Sequence, residues 1–239
     1  MKPSWRQVVP ICITLSAMLA GFYSMLMTAA GEHAYAAQLI MLSMVLDGLD
    51  GTVARLMKGT SEFGAELDTY VDMSSFGLAP GLLAYESVLK DFGLWGLLFV
   101  SVLVLSGVVR LSRFRVVDPH RGQQGYLGLP ITVSAGWIAM FVLVTESGVR
   151  HAEWFTLHSG PLAIFVWGCV LVYAVLQVST VRYIKPTKHP LSLIPCILGV
   201  VLLFFKVGVA VSAALAICAY GFYYAFISPF IHKQPGQSA

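Results

Sequence analysis

Long apolar runs dominate the chain, and short polar segments separate them. A helix needs about 20 apolar residues to cross a bilayer. Eight runs approach or exceed that length, which predicts an all-α polytopic membrane helix bundle of eight transmembrane helices, with six or seven as the alternatives. The predicted spans are 9–30, 34–58, 64–85, 94–109, 130–145, 161–178, 191–205 and 207–230.

The composition supports a membrane protein. Of the 239 residues, 57% are hydrophobic and only 11% are charged, whereas a soluble domain is nearer a quarter charged. No charged stretch between the apolar runs is long enough to bury a core of its own. We therefore predict a single integral-membrane domain that covers residues 1–239.

The basic residues are distributed unevenly across the predicted bundle. If both ends lie on one side, 12 of the 15 lysines and arginines fall on that side and three on the other. The positive-inside rule then places both termini in the cytoplasm of a multi-pass protein of the cell (inner) membrane. The net charge of +3 is too small to indicate nucleic acid as a partner. The 12 residues are Lys2, Arg6, Arg55, Lys58, Arg110, Arg113, Arg115, Arg121, Arg182, Lys185, Lys188 and Lys233.

Four aspartates interrupt the second and third apolar runs: Asp47, Asp50, Asp68 and Asp72. Carboxylates are costly in hydrocarbon and repel one another, so such a cluster indicates a site that binds cations. Spacings of three and four residues place each pair on one face of a helix. Because only the polar turn 59–62 joins the two spans, we expect them to be antiparallel neighbours whose aspartates meet near the cytoplasmic side.

Oxygen ligands without His or Cys select hard cations, so the pattern predicts Mg²⁺ or Mn²⁺, with Ca²⁺ as a further candidate. Two such ions can stabilise the attacking and leaving oxygens of a displacement at phosphorus. Arg55 adds a cation that can bind a phosphate through two hydrogen bonds. The alternatives are a buried ionic network and a cation- or proton-coupled transporter.

The full pattern is D-x-x-D-G-x-x-A-R, eight residues, then G-x-x-x-D-x-x-x-D. It resembles the signature of the CDP-alcohol phosphotransferases, which are membrane-embedded and usually dimeric. They transfer a phosphoryl group from a CDP-linked alcohol to a second alcohol and release CMP. The matching residues are Asp47, Asp50, Gly51, Ala54, Arg55, Gly64, Asp68 and Asp72.

The resemblance implies a role for each of these positions. The four aspartates would hold two divalent cations, and Asp72 would also be the base that accepts the proton of the attacking hydroxyl. The residues that would contact the CDP-linked lipid are Gly51, Ala54, Arg55, Ser61 and Gly64.

Further segments resemble the membrane-bound phosphatidylserine synthases of this family. These are the segments 63–80 (FGAELDTYVDMSSFGLAP), 110–114 (RLSRF) and 128–130 (GLP). The resemblance implies transfer from CDP-diacylglycerol to L-serine in a homodimer. Because serine carries a carboxylate and the donor carries phosphates, the cations Arg110 and Arg113 are candidates for binding the acceptor or a phosphate. Glycerol 3-phosphate, an inositol compound and choline remain alternative acceptors. The same arginines have a second interpretation, as an anchor to anionic membrane lipids.

Overall fold

The computed structural model describes residues 4–116, 126–146, 161–183, 193–205, 207–227 and 229. Within them the chain folds into helices with one very short β-ribbon. The helices are α1 (Trp5–Ala29), α2 (His33–Leu56), α3 (Glu62–Asp72), α4 (Ala79–Ala84), α5 (Leu94–Val116), α6 (Ile131–Glu146), α7 (Pro161–Val178), α8 (Leu193–Leu203) and α9 (Val207–Phe226). The ribbon pairs β1 (Tyr126–Leu127) with β2 (Arg182–Tyr183).

Residues 62–92 form one continuous helical rod. It consists of α3, a π-helical segment Met73–Leu78, α4, a second π-helical segment Tyr85–Leu89 and a 3₁₀ turn Lys90–Phe92. If the rod is counted once, the described residues contain eight helical segments, which confirms the predicted all-α bundle. The apolar pattern located each segment to within a few residues, apart from the rod and α5, which are longer than predicted.

Among the residues that the structure describes, three helical stretches are long and apolar enough to cross a membrane, namely Trp5–Ala29, Leu94–Val116 and Gly208–Phe226. Helix α6 (Ile131–Glu146) and the later part of α7 (Gly168–Val178) are shorter apolar stretches. Large apolar side chains such as Leu19, Leu105 and Val175 are more than half exposed, as expected for surfaces that contact lipid rather than water. Seven of the lysines and arginines lie outside the described residues: Lys2, Arg121, Arg150, Lys185, Lys188, Lys206 and Lys233.

Helix α1 presents a face of small residues to its neighbours. Its buried positions are Pro10, Thr14, Ala17, Ala20, Gly21, Ser24 and Thr28, a spacing that keeps them on one side of a helix. A Cβ on Gly21 would overlap the side chain of Ser75 in the first π-helical segment. The hydroxyls of Ser43 and Ser75 both donate to the carbonyl of Ala17, at 2.7 and 3.4 Å. Small residues thus bring α1, α2 and the rod into close contact.

The second and third predicted spans are neighbours, as expected, but they meet through the later part of the rod rather than through α3. Helix α3 packs mainly on α1, whereas the later part of the rod, from Met73 onward, packs on both α1 and α2. Helix α1 contacts both α2 and α3. Helix α1 therefore bridges them and fixes their separation.

The buried apolar side chains form two clusters. One joins α2, α4 and α6 around Ile40, Leu83 and Met140. The other joins α5, α6, α7 and α9 around Trp137 and Tyr173. The aspartate-bearing ends of α2 and α3 are consequently held by packing elsewhere along the same helices.

Candidate active site

Three carboxylates from two helices converge near the end of α2 and along α3. Asp47, Asp50 and Asp68 each offer an oxygen, and the three oxygens lie within 4.8 Å of one another. Asp50 is 5% exposed, and the other two are partly buried. The three-residue spacing on α2 directs Asp47 and Asp50 to the same side, where Asp68 faces them from α3.

The donor set fits a hard divalent cation. Oδ1 of Asp47 and Oδ2 of Asp50 are buried and have no hydrogen-bond partner among the described residues. Buried carboxylate oxygens without partners are strongly unfavourable unless a cation compensates them. All of the converging ligand atoms are carboxylate oxygens, which is the chemistry that Mg²⁺ and Mn²⁺ prefer. The residues present can therefore hold a metal.

The turn between α2 and α3 is fixed by backbone contacts. Lys58 adopts a left-handed conformation, with φ of +51°, and the Gly59 amide donates to the carbonyl of Ala54 at 2.9 Å. A Cβ on Gly59 would overlap the backbone carbonyl of Arg6 at the start of α1. Only glycine permits this approach, so the turn sets the positions of α2 and α3 relative to α1.

The residues expected to contact nucleotide lie on the same end of α2. Arg55 is exposed, and its Nη2 donates to the Thr52 hydroxyl at 3.2 Å. A Cβ built on Gly51 would meet only Nη1 of Arg55, at 3.4 Å, among the described residues. The Ala54 methyl is partly buried one turn after Gly51. This small-residue surface beside an arginine allows a ligand to approach the helix backbone.

Ser61 and Gly64 have a structural function at the start of α3. Ser61 is the N-cap, and its hydroxyl oxygen accepts a hydrogen bond from the Gly64 amide at 3.0 Å. A Cβ on Gly64 would lie 3.2 Å from that oxygen, so glycine keeps the cap compact. The contact of either residue with substrate stays a prediction.

Asp72 lies one turn beyond Asp68 and is not a member of the close three-carboxylate group. Its carboxylate interacts electrostatically with Asp68, Asp50 and the guanidinium of Arg110. Arg110 is 6% exposed, in the last part of α5. Asp72 and Arg110 therefore lie within electrostatic range of each other at the edge of the cluster, and among the described residues they form no close ion pair.

Arg113, the other predicted arginine, is held by backbone carbonyls. Its Nη1 donates to Val178 at 2.7 Å, and its Nη2 donates to Ser179 and Leu127 at 2.7 and 3.1 Å. These bonds tie α5 to the end of α7 and to β1. The observed partners are structural, and acceptor binding by Arg113 stays a prediction without a supporting contact.

Sequence reasoning missed the surroundings of Arg110. The rings of Phe114 and Tyr126 lie 5.9 and 5.8 Å from its Cζ. Phe114 belongs to the RLSRF segment, and Tyr126 stands two residues before the GLP segment, so both lie close to recognised motifs. The glycine of the GLP segment was the one sequence feature that pointed to this region. Gly128 has a φ of +78°, and a Cβ there would overlap the carbonyl of Gln177.

A buried polar network also escaped prediction. The Ser106 hydroxyl donates to Oε1 of Gln177 at 2.8 Å, and Nε2 of Gln177 donates to the Ser134 hydroxyl at 2.6 Å. These three residues lie on α5, α7 and α6, and all are buried. The network joins three helices close to Arg110, which lies one helical turn from Ser106 on α5.

Comparison with known proteins gives this site a context. The sequence matches the family model described as CDP-alcohol phosphatidyltransferase over residues 7–175, a range that contains all four aspartates, Arg55 and Arg110. The match therefore includes both halves of the signature and the helices that carry them.

Curated relatives cover most of the chain. A CDP-diacylglycerol–serine O-phosphatidyltransferase of Helicobacter pylori is 33% identical over 77% of this chain and 76% of its own length. A protein of the same description from Methanocaldococcus jannaschii is 29% identical over 92% and 94%. An archaetidylserine synthase of Methanothermobacter thermautotrophicus is 32% identical over 73% and 69%. With its family match across residues 7–175 and relatives of this similarity, the chain belongs to the CDP-alcohol phosphatidyltransferase family.

Proposed function

We propose that this protein transfers a phosphatidyl group from CDP-diacylglycerol to the hydroxyl of L-serine and releases CMP. The observation that carries the proposal is the convergence of Asp47, Asp50 and Asp68, with Asp72 and the buried Arg110 within electrostatic range. It places a candidate cation site next to a carboxylate and a buried arginine. The names of the similar bacterial and archaeal proteins support serine as the acceptor.

Asp47, Asp50, Asp68 and Asp72 would hold two divalent cations, Mg²⁺ or Mn²⁺. Such ions would supply the positive charge that neutralises the pyrophosphate and stabilises the charge developing on the leaving phosphate. Arg55 binds a phosphate oxygen of the nucleotide, since its exposed guanidinium lies beside the open side of Gly51. Ala54, Ser61 and Gly64 shape the same end of the site.

The reaction requires a base for the serine hydroxyl. Asp72 is suited to this role because it stands beside the three-carboxylate group rather than within it. It accepts the proton while the serine oxygen forms a bond to the phosphorus that carries diacylglycerol. The bond from that phosphorus to the bridging oxygen breaks, and CMP leaves with both electrons of that bond.

Arg110 supplies the cation for the carboxylate of serine. It is the cation that acts electrostatically on Asp72, so a carboxylate bound to Arg110 brings the attached hydroxyl toward the base. The burial of Arg110 strengthens the interaction with an anion, because charges attract more strongly where water is excluded. An acceptor without a carboxylate, such as choline, would not use this contact.

We also propose the topology and assembly. The uneven distribution of basic residues supports a multi-pass protein with both termini and the active site on the cytoplasmic side. Residues 1–239 would form one membrane domain, and two copies would form a homodimer, as the family resemblance implies. Cysteine labelling from each side of the membrane tests the topology, and cross-linking in native membranes tests the dimer.

One experiment tests the proposed function directly. Purified protein is supplied with CDP-diacylglycerol, Mg²⁺ or Mn²⁺, and a panel of labelled acceptors, and CMP release and lipid product are measured. We expect metal-dependent CMP release that requires serine. Release that requires glycerol 3-phosphate or an inositol compound would reassign the acceptor, and metal uptake into vesicles without CMP release would favour a transporter.

The same assay tests the lipid donor. Similarity to an archaetidylserine synthase makes an archaeal-type lipid a specific second candidate. Comparison of diacylglycerol and ether-lipid CDP donors at equal concentration separates the two.

A further inference from the structure

Two aromatic rings hold the Arg110 guanidinium inside the protein. Its Cζ lies 5.9 Å from the ring centre of Phe114 and 5.8 Å from that of Tyr126. The two rings are themselves 6.3 Å apart and tilted by 50°. A ring holds a guanidinium through its face and leaves the N–H donors available for an anion. Nε of Arg110 has no hydrogen-bond partner among the described residues.

The two rings are supported differently. Phe114 is on α5, one turn after Arg110, so the helix itself positions it. Tyr126 belongs to β1, which consists of two residues and cannot be rigid alone. The position of Tyr126 therefore depends on what holds the ribbon.

The second strand of the ribbon is anchored to α9. Tyr126 is the register partner of Tyr183 in β2. The Tyr183 side chain is fully buried and stacks on Tyr224 of α9, with ring centres 5.6 Å apart. Its hydroxyl donates to the carbonyl of Ala225 at 3.1 Å. Contacts thus run from α9 through Tyr183 to Tyr126 and then to Arg110.

Arg113 anchors the first strand. Its bonds to the carbonyls of Leu127 and Ser179 lie on both sides of the ribbon. The Gly128 amide adds a bond to the carbonyl of Val181 at 2.8 Å. The ribbon is therefore held from α5 and from α9 at the same time.

We propose that Tyr126 is a positioning residue for Arg110, and that Tyr183 and Tyr224 extend the acceptor site to the last helix. The inference rests on the proposed function, in which Arg110 binds the acceptor carboxylate. The family match ends at residue 175, so Tyr183 and Tyr224 lie outside the region that it covers. The C-terminal part of the chain then contributes to acceptor selection as well as to the bundle.

Loss of the Tyr126 ring should weaken the binding of serine and leave the binding of CDP-diacylglycerol unchanged. Loss of the Tyr126 ring would let the guanidinium turn toward Asp72 and weaken its hold on the acceptor carboxylate. The nucleotide contacts at Gly51 and Arg55 lie on α2 and do not involve the ribbon. The KM for serine should therefore rise while the KM for CDP-diacylglycerol stays constant.

The test compares Tyr126→Leu, which removes the ring, with Tyr126→Phe, which keeps it. For Tyr126→Leu we expect the serine KM to rise about tenfold, equivalent to about 1.4 kcal/mol, with the CDP-diacylglycerol KM changed by less than about twofold. For Tyr126→Phe we expect a serine KM within about twofold of the wild-type value. Tyr35→Leu is the matched control, since Tyr35 is 59% exposed on α2.

Two further variants distinguish an effect on Arg110 from a general folding defect. Tyr224→Leu acts at a distance and should raise the serine KM about threefold; an unchanged value would remove α9 from the site. In an Arg110→Lys background, Tyr126→Leu should add little, because both changes act on the same guanidinium. Full additivity would show that Tyr126 acts independently of Arg110 and would overturn the inference.

The outcomes separate this inference from the proposed function. If the wild type uses serine and Arg110→Lys raises the serine KM, an unaffected Tyr126→Leu overturns the positioning role alone. A parallel rise in both KM values would also overturn it, since that indicates a general structural defect. If the wild type shows no serine-dependent CMP release, the proposed function fails and this inference fails with it.

Discussion

Asp50→Asn should stabilise the metal-free protein while it abolishes activity. Asp50 is the most buried member of the three-carboxylate group, and its Oδ2 has no hydrogen-bond partner among the described residues. An amide has almost the same shape but no charge. The substitution therefore removes repulsion from the cluster and a candidate metal ligand at once.

The magnitude follows from the distances. The three oxygens lie within 4.8 Å of one another, so each ionised pair repels by at least about 3.5 kcal/mol at an effective dielectric constant of about 20. Asp50 takes part in two pairs, which gives about 7 kcal/mol. A carboxylate can instead escape the repulsion by binding a proton, and this costs about 4 kcal/mol at pH 7 for a carboxylate of ordinary pKa. The destabilisation per carboxylate is therefore no more than about 4 kcal/mol. We expect a gain of about 1–4 kcal/mol, or about 3–12 °C in Tm.

The assay is thermal unfolding of detergent-purified protein, with EDTA or with Mg²⁺. With EDTA, the Tm of Asp50→Asn should exceed that of the wild type. Saturating Mg²⁺ should stabilise the wild type by about 2.7 kcal/mol at 100 times its Kd and should change the variant little. Asp91→Asn is the control, because Asp91 is exposed at the far end of the rod that carries Asp68. A variant less stable than the wild type in EDTA would refute the reasoning.

Three further predictions concern the reaction and the bundle. Asp72→Asn should lower kcat by about 10²-fold or more, because it removes the base and a candidate metal ligand at once; a normal kcat would exclude Asp72 as the base. Arg55→Ala should raise the KM for CDP-diacylglycerol by about tenfold or more, since a charged hydrogen bond to phosphate is lost, and an unchanged KM would remove it from that role. Gln177→Leu should reduce stability by about 1–3 kcal/mol in thermal unfolding, because the buried hydroxyls of Ser106 and Ser134 lose a partner; an unaltered Tm would contradict the importance of the network.

The sequence predicted the aspartate site because its evidence is local. Asp47 and Asp50 belong to one helix, so their common face follows from helix periodicity alone. The convergence with Asp68 needed only a short turn and the cost of carboxylates in an apolar segment. The exact packing was less predictable, because the bridging by α1 depends on Gly21 and on close contacts that hydropathy does not encode.

The Arg110 surroundings could not be derived in the same way. The ribbon has two residues per strand, too few for an alternating pattern, and it joins positions far apart in the sequence. Tyr183 and Tyr224 also resemble the interfacial tyrosines that are common at membrane surfaces. Only their contacts show that they are buried around the ribbon.

The two halves of the site are therefore positioned by different physical means. The aspartates sit on long helices whose packing lies elsewhere, so charge repulsion is tolerated where a cation can offset it. Arg110 carries the opposite charge and is held by aromatic faces and a hydrogen-bonded ribbon. Because no aspartate forms a close ion pair with it in the described residues, its N–H groups remain available to an anionic acceptor. A direct Asp72–Arg110 ion pair would neutralise both the base and the acceptor contact, which explains why rings rather than carboxylates hold this arginine.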